Sequence, residues 1–320
     1  MKVLFDFEIS EEYVNKLKNR VAGVEVVVAS EKENIREEIV DSDVLIDLRG
    51  VDYEDVIKGN QLKWIQTWTA GVDKFMKDDF RDHLIENNIT LTNMSGVHSN
   101  IIAEHTLGFM INFSRRFCNF HEQKKEKVWD RLKVGQLENR TLTVVGLGSI
   151  GSEIAKRAKA FKMDVIGVNR DGSGNYDFVD ELYKQDDLLT VLSKSDYVVA
   201  IVPLTEETEK MFGKREFETM KEGAYFINMA RGEVVDEAAM IDALREEEIA
   251  GAGLDVFVEE PLPEESPLYE LDNVLITPHV GGVFPEYNEK AIKIAGENLE
   301  KFAVNKREEM INRVDYDLGY

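Results

Sequence analysis

Residues 144–171 have the sequence VVGLGSIGSEIAKRAKAFKMDVIGVNRD, from which the fold of this chain can be inferred. Three glycines stand in it at the spacing Gly-x-Gly-x-x-Gly, after an apolar run and before a helix-like segment. In a parallel α/β unit the first glycine allows a tight turn, the second lets the backbone approach a pyrophosphate, and the third lets helix and strand pack closely. The N-terminus of the following helix also favours an anion. The stretch predicts a dinucleotide-binding Rossmann unit whose contact residues are Gly146, Gly148, Ser149, Ile150 and Gly151.

The end of the second strand departs from the usual pattern. An acid at this position would accept hydrogen bonds from a ribose 2′-hydroxyl, but the chain has Asn169 and Arg170. A guanidinium can bind a 2′-phosphate through charge-assisted hydrogen bonds. We therefore predict that NADP(H) is the preferred cofactor and NAD(H) a second one. The alternative is that Arg170 is a solvated loop residue and that Asp171 binds the ribose.

Apolar strand-like runs alternate with polar helical segments along the chain. KVLFDF, VEVVV, DVLIDL, WIQTWT and ITLTN stand in the first hundred residues, and LTVVG, DVIGV, YVVAIV, AYFINM, AGLDVF and NVLITP follow from residue 141. Longer helices are expected over 99–118 and 286–304. This alternation predicts the α/β class, with parallel strands joined by crossover helices.

Composition narrows the class of protein. The 320 residues carry 62 acids and 39 bases, a net charge of −23, which disfavours nucleic acid and anionic membranes as partners.

No apolar run approaches the roughly 20 residues that span a bilayer, and no signal-peptide pattern follows Met1, so we expect a cytoplasmic location. The single cysteine, Cys118, cannot form an intrachain disulfide, and a packing role is expected for it rather than that of a nucleophile. No histidines and acids have metal-ligand spacing on one helix, so no metal is predicted.

Three polar residues directly follow apolar strands of the second series, where α/β sheets place their ligands. They are Arg231 in INMARGEVVDE, Glu260 in DVFVEEPLP and His279 in ITPHVGG. Arg231 can hold a carboxylate through two parallel hydrogen bonds, His279 can give a proton to a carbonyl oxygen, and Glu260 can orient the imidazole. Reduction of a 2-keto acid needs these functions. The spacing alone is equally compatible with three unrelated polar loop residues.

The chain resembles the D-isomer-specific 2-hydroxyacid dehydrogenase family, which includes glyoxylate/hydroxypyruvate reductases and phosphoglycerate dehydrogenases. The resemblance rests on TAGVDKF, AEHTLGFM, VVGLGSIG, VPLTEET, FINMARGEVVDE, AGLDVFVEEPLP and TPHVGG, from about residue 60 to residue 285. It implies that Arg231, Glu260 and His279 are the catalytic residues. Glu260 is chosen over Glu259 because the family's glutamate directly precedes proline. The family typically has an acid where Asn169 stands, which puts strict use of NAD in doubt.

The resemblance also implies the residues that surround the reacting groups. Ala70 and Gly71 would present backbone N–H groups to the substrate carboxylate, and Asp255 would contact the nicotinamide carboxamide. Leu48 and Arg49 would lie in the loop that shapes substrate selectivity. Trp68 is expected either to line the substrate pocket or only to pack. The remaining residues implied at the cofactor are Val202, Pro203, Met229, Ala230, His279, Gly281 and Gly282.

The implied architecture consists of two doubly wound parallel-sheet domains. Residues 1–98 and 286–320 would form a flavodoxin-like substrate domain, and residues 99–285 a Rossmann NAD(P)-binding domain. Family members are usually homodimers joined through the cofactor domains. Trp129 would lie in the dimer arm, as an interface anchor or as an ordinary packing residue.

Two functions from different classes remain at this point. The first is an NAD(P)H-dependent reductase of small 2-keto acids, with a phosphoglycerate-type dehydrogenase as a variant. The second is a cofactor-sensing binding protein, as in the co-repressor branch of the same superfamily. Of the other histidines, His105 is expected to be a hydrogen-bonded structural residue, and His98 is a weaker candidate for substrate contact.

Overall fold

A computed structural model describes residues 1–48 and 52–320. Arg49, predicted to shape substrate selectivity, lies outside the described residues. The chain folds into two compact units, one of residues 1–98 with 284–320 and the other of residues 99–283. Among the described residues, no helix combines the length and apolarity needed to cross a bilayer.

The first unit is built on a five-stranded sheet. Its strands are β1 Lys2–Phe5, β2 Glu25–Val28, β3 Val44–Ile46, β4 Trp64–Gln66 and β5 Thr90–Thr92. The strand order is β2-β1-β3-β4-β5, and all neighbours are parallel. Strands β3 and β4 are buried along their whole length, as expected for parallel strands covered on both faces. The helices are α1 Glu11–Lys18, α2 Lys32–Glu38, α3 Tyr53–Val56, α4 Asp78–Glu86 and, from the C-terminal return, α11 Tyr287–Ala303.

Helix α11 is tied to this sheet by a buried amide. Asn298 is fully buried, and its side chain donates to Gln66 Oε1 at 3.1 Å and to the Ile311 carbonyl at 3.0 Å. The side-chain oxygen Oδ1 of Asn298 accepts a hydrogen bond from Ile311 N at 2.6 Å. Because a buried polar group without a partner is costly, this network fixes where the C-terminal segment packs.

The second unit has a seven-stranded parallel sheet of order β12-β11-β10-β9-β6-β7-β8. Its strands are β6 Thr141–Val145, β7 Asp164–Asn169, β8 Glu181–Lys184, β9 Tyr197–Ala200, β10 Tyr225–Asn228, β11 Gly251–Leu254 and β12 Val274–Ile276. Its helices are α5 Ser99–Arg115, α6 Phe117–Glu126, α7 Ser149–Ala160, α8 Leu188–Leu192, α9 Lys214–Thr219 and α10 Glu237–Arg245. The predicted α/β class with two parallel sheets is confirmed.

The strand register brings the loops of this unit to one edge. The last residues of neighbouring strands pair in line, Val145 with Ala200, Ala200 with Asn228, Asn228 with Leu254, and Leu254 with Ile276. The direction of winding reverses between β6 and β9, and such a switch point is where open α/β sheets bind ligands.

Several local predictions differ from the structure. Helix α5 ends at Arg115 rather than at Cys118, because Arg116 has a left-handed backbone with φ 55°. Cys118 is exposed at the start of α6, so the prediction of a packing role is wrong. Trp129 is 96% exposed, so it does not pack as an ordinary interior residue.

Candidate functional site

The glycine loop between β6 and α7 leaves room for a pyrophosphate. Gly146 has φ 108°, and a Cβ there would lie 2.4 Å from the Ile201 carbonyl oxygen. A Cβ on Gly151 would lie 1.8 Å from the Gly146 carbonyl oxygen, so helix and turn pack as the motif requires. A Cβ on Gly148 would meet nothing within 4 Å. This loop therefore fits a dinucleotide, with Gly148 at the N-cap of α7 and Ser149 in its first turn.

The end of β7 carries the departure from the usual acid. The Asn169 side chain braces its own turn, since Nδ2 donates to the Ser173 carbonyl and Oδ1 accepts from Gly172 N, both at 2.7 Å. Arg170 Nη2 lies 3.4 Å from Glu207 Oε2, a residue of the loop that follows β9. Asp171 accepts hydrogen bonds from Ser173, which lower the pKa of the Asp171 carboxyl. Of the predicted pair, Arg170 thus has an accessible charged side chain, whereas the Asn169 side chain is used in hydrogen bonds within its own turn.

His279 and Glu260 form the centre of the candidate site. His279 Nδ1 lies 2.7 Å from Glu260 Oε2, and Glu260 Oε1 accepts from Phe257 N at 3.0 Å. Both side chains stay accessible, at 51% for His279 and 37% for Glu260. With Nδ1–H donated to the carboxylate, Nε2 of the imidazole is left to face a reacting group.

The backbone at His279 is held in a left-handed conformation, with φ 51°. Its N–H donates to the Asp255 carbonyl at 2.9 Å. The Asp255 carboxylate, in a residue only 3% exposed, accepts from Val280 N at 3.0 Å and from Gly281 N at 2.9 Å. Because non-glycine residues at positive φ need support from their surroundings, Asp255 positions the His279 loop.

Asp255 is linked in turn to helix α5. Thr277 Oγ1 donates to Asp255 Oδ1 at 2.5 Å, and His105 Nε2 lies 2.9 Å from Thr277 Oγ1. The expected hydrogen-bonded role of His105 is confirmed. Sequence reasoning placed none of these partners around Asp255.

Arg231 follows β10 in a loop braced by Asn228. The Asn228 side chain donates to the Arg231 carbonyl at 2.9 Å and accepts from Ala230 N at 3.0 Å. Arg231 Nη1 donates to the Ala230 carbonyl at 2.7 Å. A Cβ on Gly232 would lie 2.0 Å from the Phe257 carbonyl carbon, so this loop runs directly against the segment that leads to Glu260.

Comparisons with known proteins identify the family of the chain. A family profile described as D-isomer specific 2-hydroxyacid dehydrogenase, NAD binding domain, matches residues 107–281. The glyoxylate reductase of Pyrococcus furiosus is 32% identical over 318 residues, which cover 94% of this chain and 92% of that protein. The chain belongs to the D-isomer specific 2-hydroxyacid dehydrogenase family. The resemblance inferred from the sequence motifs is thereby confirmed.

Some members of the family are longer than this chain, so that the chain matches only part of their length. The D-3-phosphoglycerate dehydrogenase of Methanocaldococcus jannaschii is 35% identical over 305 residues, which cover 94% of this chain. This chain spans only 57% of the length of that relative. A solved D-isomer specific 2-hydroxyacid dehydrogenase of Xanthobacter autotrophicus, in complex with NADPH, has a TM-score of 0.86 and 29% identity, covering 100% of this chain and 99% of that chain.

The other residues predicted at the cofactor lie in the same unit. Met229 and Ala230 are buried directly after β10, Val202 is half-buried, and Pro203 is exposed. Gly281 is buried, and a Cβ there would lie 2.6 Å from Met229 Cε and 2.8 Å from Asp255 Oδ2. A side chain at Gly281 would therefore require Met229 or Asp255 to move. Ile150 and Gly282 are half-buried.

The predicted substrate residues of the first unit lie at the carboxyl ends of β3 and β4. Trp68 is 2% exposed, packs against the rings of Phe5 and Phe7, and donates from Nε1 to Asn288 Oδ1 at 2.9 Å. Leu48 is also buried, at 6% exposure, whereas Ala70 and Gly71 are half-buried. Trp68 thus packs, and a contact of any of these residues with substrate stays a prediction.

Proposed function

We propose that the protein reduces small 2-keto acids, such as glyoxylate or hydroxypyruvate, to D-2-hydroxy acids with NAD(P)H. The observation that carries the proposal is the 2.7 Å hydrogen bond between His279 Nδ1 and Glu260 Oε2, in the unit that also holds the glycine loop. When bound, the nicotinamide supplies the hydride that reduces the carbonyl carbon. The chain itself supplies the proton, the binding of the carboxylate and the placement of the imidazole.

His279 is proposed as the general acid. Its Nδ1–H is donated to Glu260, so the proton that the carbonyl oxygen receives comes from Nε2. In the reverse direction, Nε2 accepts the hydroxyl proton of the hydroxy acid. Glu260 is proposed to fix the tautomer and the orientation of the ring, and its second oxygen is itself held by Phe257 N at 3.0 Å.

Arg231 is proposed to bind the substrate carboxylate. A guanidinium presents a planar pair of donors that matches a carboxylate. The loop around Arg231 is braced by Asn228 and packed against Phe257, so less order must be imposed when substrate binds.

Asp255 is proposed both to position the His279 loop and to contact the carboxamide of the nicotinamide. Three of the roughly four lone-pair directions of its carboxylate accept from Thr277, Val280 and Gly281. The nicotinamide carboxamide would contact this carboxylate, as the family resemblance implies. The surrounding residues Val202, Pro203, Met229, Ala230 and Gly282 would line the cofactor.

The cofactor is proposed to be NADP(H) in preference to NAD(H), because the Arg170 guanidinium can bind a 2′-phosphate.

A second copy of the chain is proposed to bind through the segment around Trp129. A tryptophan side chain that is 96% exposed is unusual in a monomer, and tryptophan is enriched among residues that anchor interfaces.

The function is tested by following the oxidation of NADPH and NADH at 340 nm with a panel of 2-keto acids. The panel contains glyoxylate, hydroxypyruvate, 3-phosphohydroxypyruvate and 2-ketogluconate, with matched aldehydes as controls. We expect turnover of at least one small 2-keto acid. Binding of NAD(P)H without turnover of any keto acid would instead favour the cofactor-sensing alternative and contradict the proposal.

A further inference from the structure

Arg170 faces an anion of the protein itself. Its Nη2 lies 3.4 Å from Glu207 Oε2, and the two side chains are 47% and 68% exposed. Asp171, next in the chain, adds a second negative charge beside the guanidinium. The cation proposed to bind a 2′-phosphate is therefore already partly neutralised.

The position of Glu207 is fixed by the loop after β9. Thr208 is 6% exposed, and its Oγ1 donates to the Pro203 carbonyl at 2.6 Å and accepts from Thr205 N at 2.8 Å. Gln185 Nε2 donates to the Glu207 carbonyl at 3.3 Å. The backbone of Glu207 is thus held from both sides.

The turn that carries Arg170 is equally constrained. Asn169 bridges Gly172 N and the Ser173 carbonyl, and Gly172 has φ 69°. A Cβ on Gly172 would lie 3.0 Å from Lys184 N, so the turn packs closely on β8. Two braced loops thus place the backbones of Arg170 and Glu207 so that their exposed side chains lie within ion-pair distance.

We propose that Glu207 is a specificity-determining residue that competes with the cofactor's 2′-phosphate for Arg170. With NAD(H), the ion pair stays intact. With NADP(H), the phosphate takes the guanidinium and leaves Glu207 to solvent. The preference between the two cofactors is then set by the pair and not by Arg170 alone. This inference rests on the proposed function.

The test is direct binding, measured by nicotinamide fluorescence or calorimetry with NADPH and NADH. Glu207→Gln should tighten NADPH binding about two- to fivefold, since an exposed ion pair is weak, and leave NADH binding unchanged. The gain should shrink as salt is raised. Glu206→Gln, a change at the exposed neighbouring glutamate, is the matched control and should change neither affinity.

The Arg170→Ala background distinguishes competition between Glu207 and the 2′-phosphate for Arg170 from direct repulsion of the phosphate by Glu207. In this background Glu207→Gln should no longer affect NADPH binding, because nothing remains to compete for. An equal gain in both backgrounds, or an unchanged ratio of the two cofactors in Glu207→Gln, would overturn the inference while leaving the proposed function intact. If the wild-type protein binds neither NADPH nor NADH, the proposed function itself fails.

Discussion

His279 Nδ1 and Glu260 Oε2 lie 2.7 Å apart although 19 residues of chain separate them. The pair forms because β11 and β12 are parallel neighbours, so the loops that follow them leave the sheet at the same edge. The proposed acid and its orienting group therefore depend on strand order more than on local sequence.

Glu260→Gln should lower kcat about 10- to 100-fold while changing the KM for the cofactor little, because the amide no longer provides a charged acceptor for the imidazole. Glu260→Asp should recover part of kcat. Steady-state kinetics of both variants check this. Glu259→Gln alters the exposed neighbouring acid and is expected to retain wild-type rates; a loss equal to that of Glu260→Gln would contradict the assignment.

Arg231→Lys should raise the KM for the 2-keto acid by about 10- to 100-fold, since a charge is kept but one charge-assisted hydrogen bond of the planar fork is lost. Affinity for NADPH should stay within about twofold. The comparison of KM for keto acid with cofactor affinity measures this. Arg245→Lys, in the exposed last turn of α10, provides the control. An effect on kcat alone would count against carboxylate binding.

His98 makes stability depend on pH. It stacks on Tyr287 at 4.8 Å, and burial lowers its pKa from 6.5 to about 4. The unfolded chain binds this proton at a higher pH than the folded one, so the stabilisation is present above about pH 6.5 and is lost as pH falls toward 4. His98→Phe, which keeps the stacking, should reduce the loss of unfolding free energy between pH 7 and pH 5 by about 2 kcal/mol.

Urea unfolding at the two pH values measures this effect. His121→Asn removes an exposed histidine and should leave the acid sensitivity as in the wild type. If His98→Phe is as sensitive to acid as the wild type, titration of His98 does not contribute.

The sequence predicts the parallel α/β sheets well, because buried parallel strands are short apolar runs such as YVVA of β9 and YFIN of β10. Strand β8 escaped prediction for a physical reason. Its four residues, ELYK, lie at the sheet edge with none fully buried, so they carry no apolar period. Helix α9, with only Phe217 buried among six residues, lacks a pattern for the same reason.

The candidate site was predictable where a polar residue directly follows a strand, as at Arg231 and His279. Its supporting contacts were not. His105 reaches Thr277 across 172 residues of chain, and Glu207 meets Arg170 across 37. Such pairs depend on which strands and helices become neighbours, and the spacing of residues within one segment does not predict those neighbours. Cys118 was misplaced because the left-handed residue Arg116 ends α5 before it.

His279 is proposed to deliver the proton to the substrate carbonyl. The most direct measurement is the steady-state rate of NADPH oxidation by His279→Ala with the best 2-keto acid, alongside the Kd for NADPH. We predict a loss of kcat of about 100-fold or more with a Kd within about threefold of the wild type. Preserved turnover, or a loss explained by failure to bind NADPH, would contradict this role of His279.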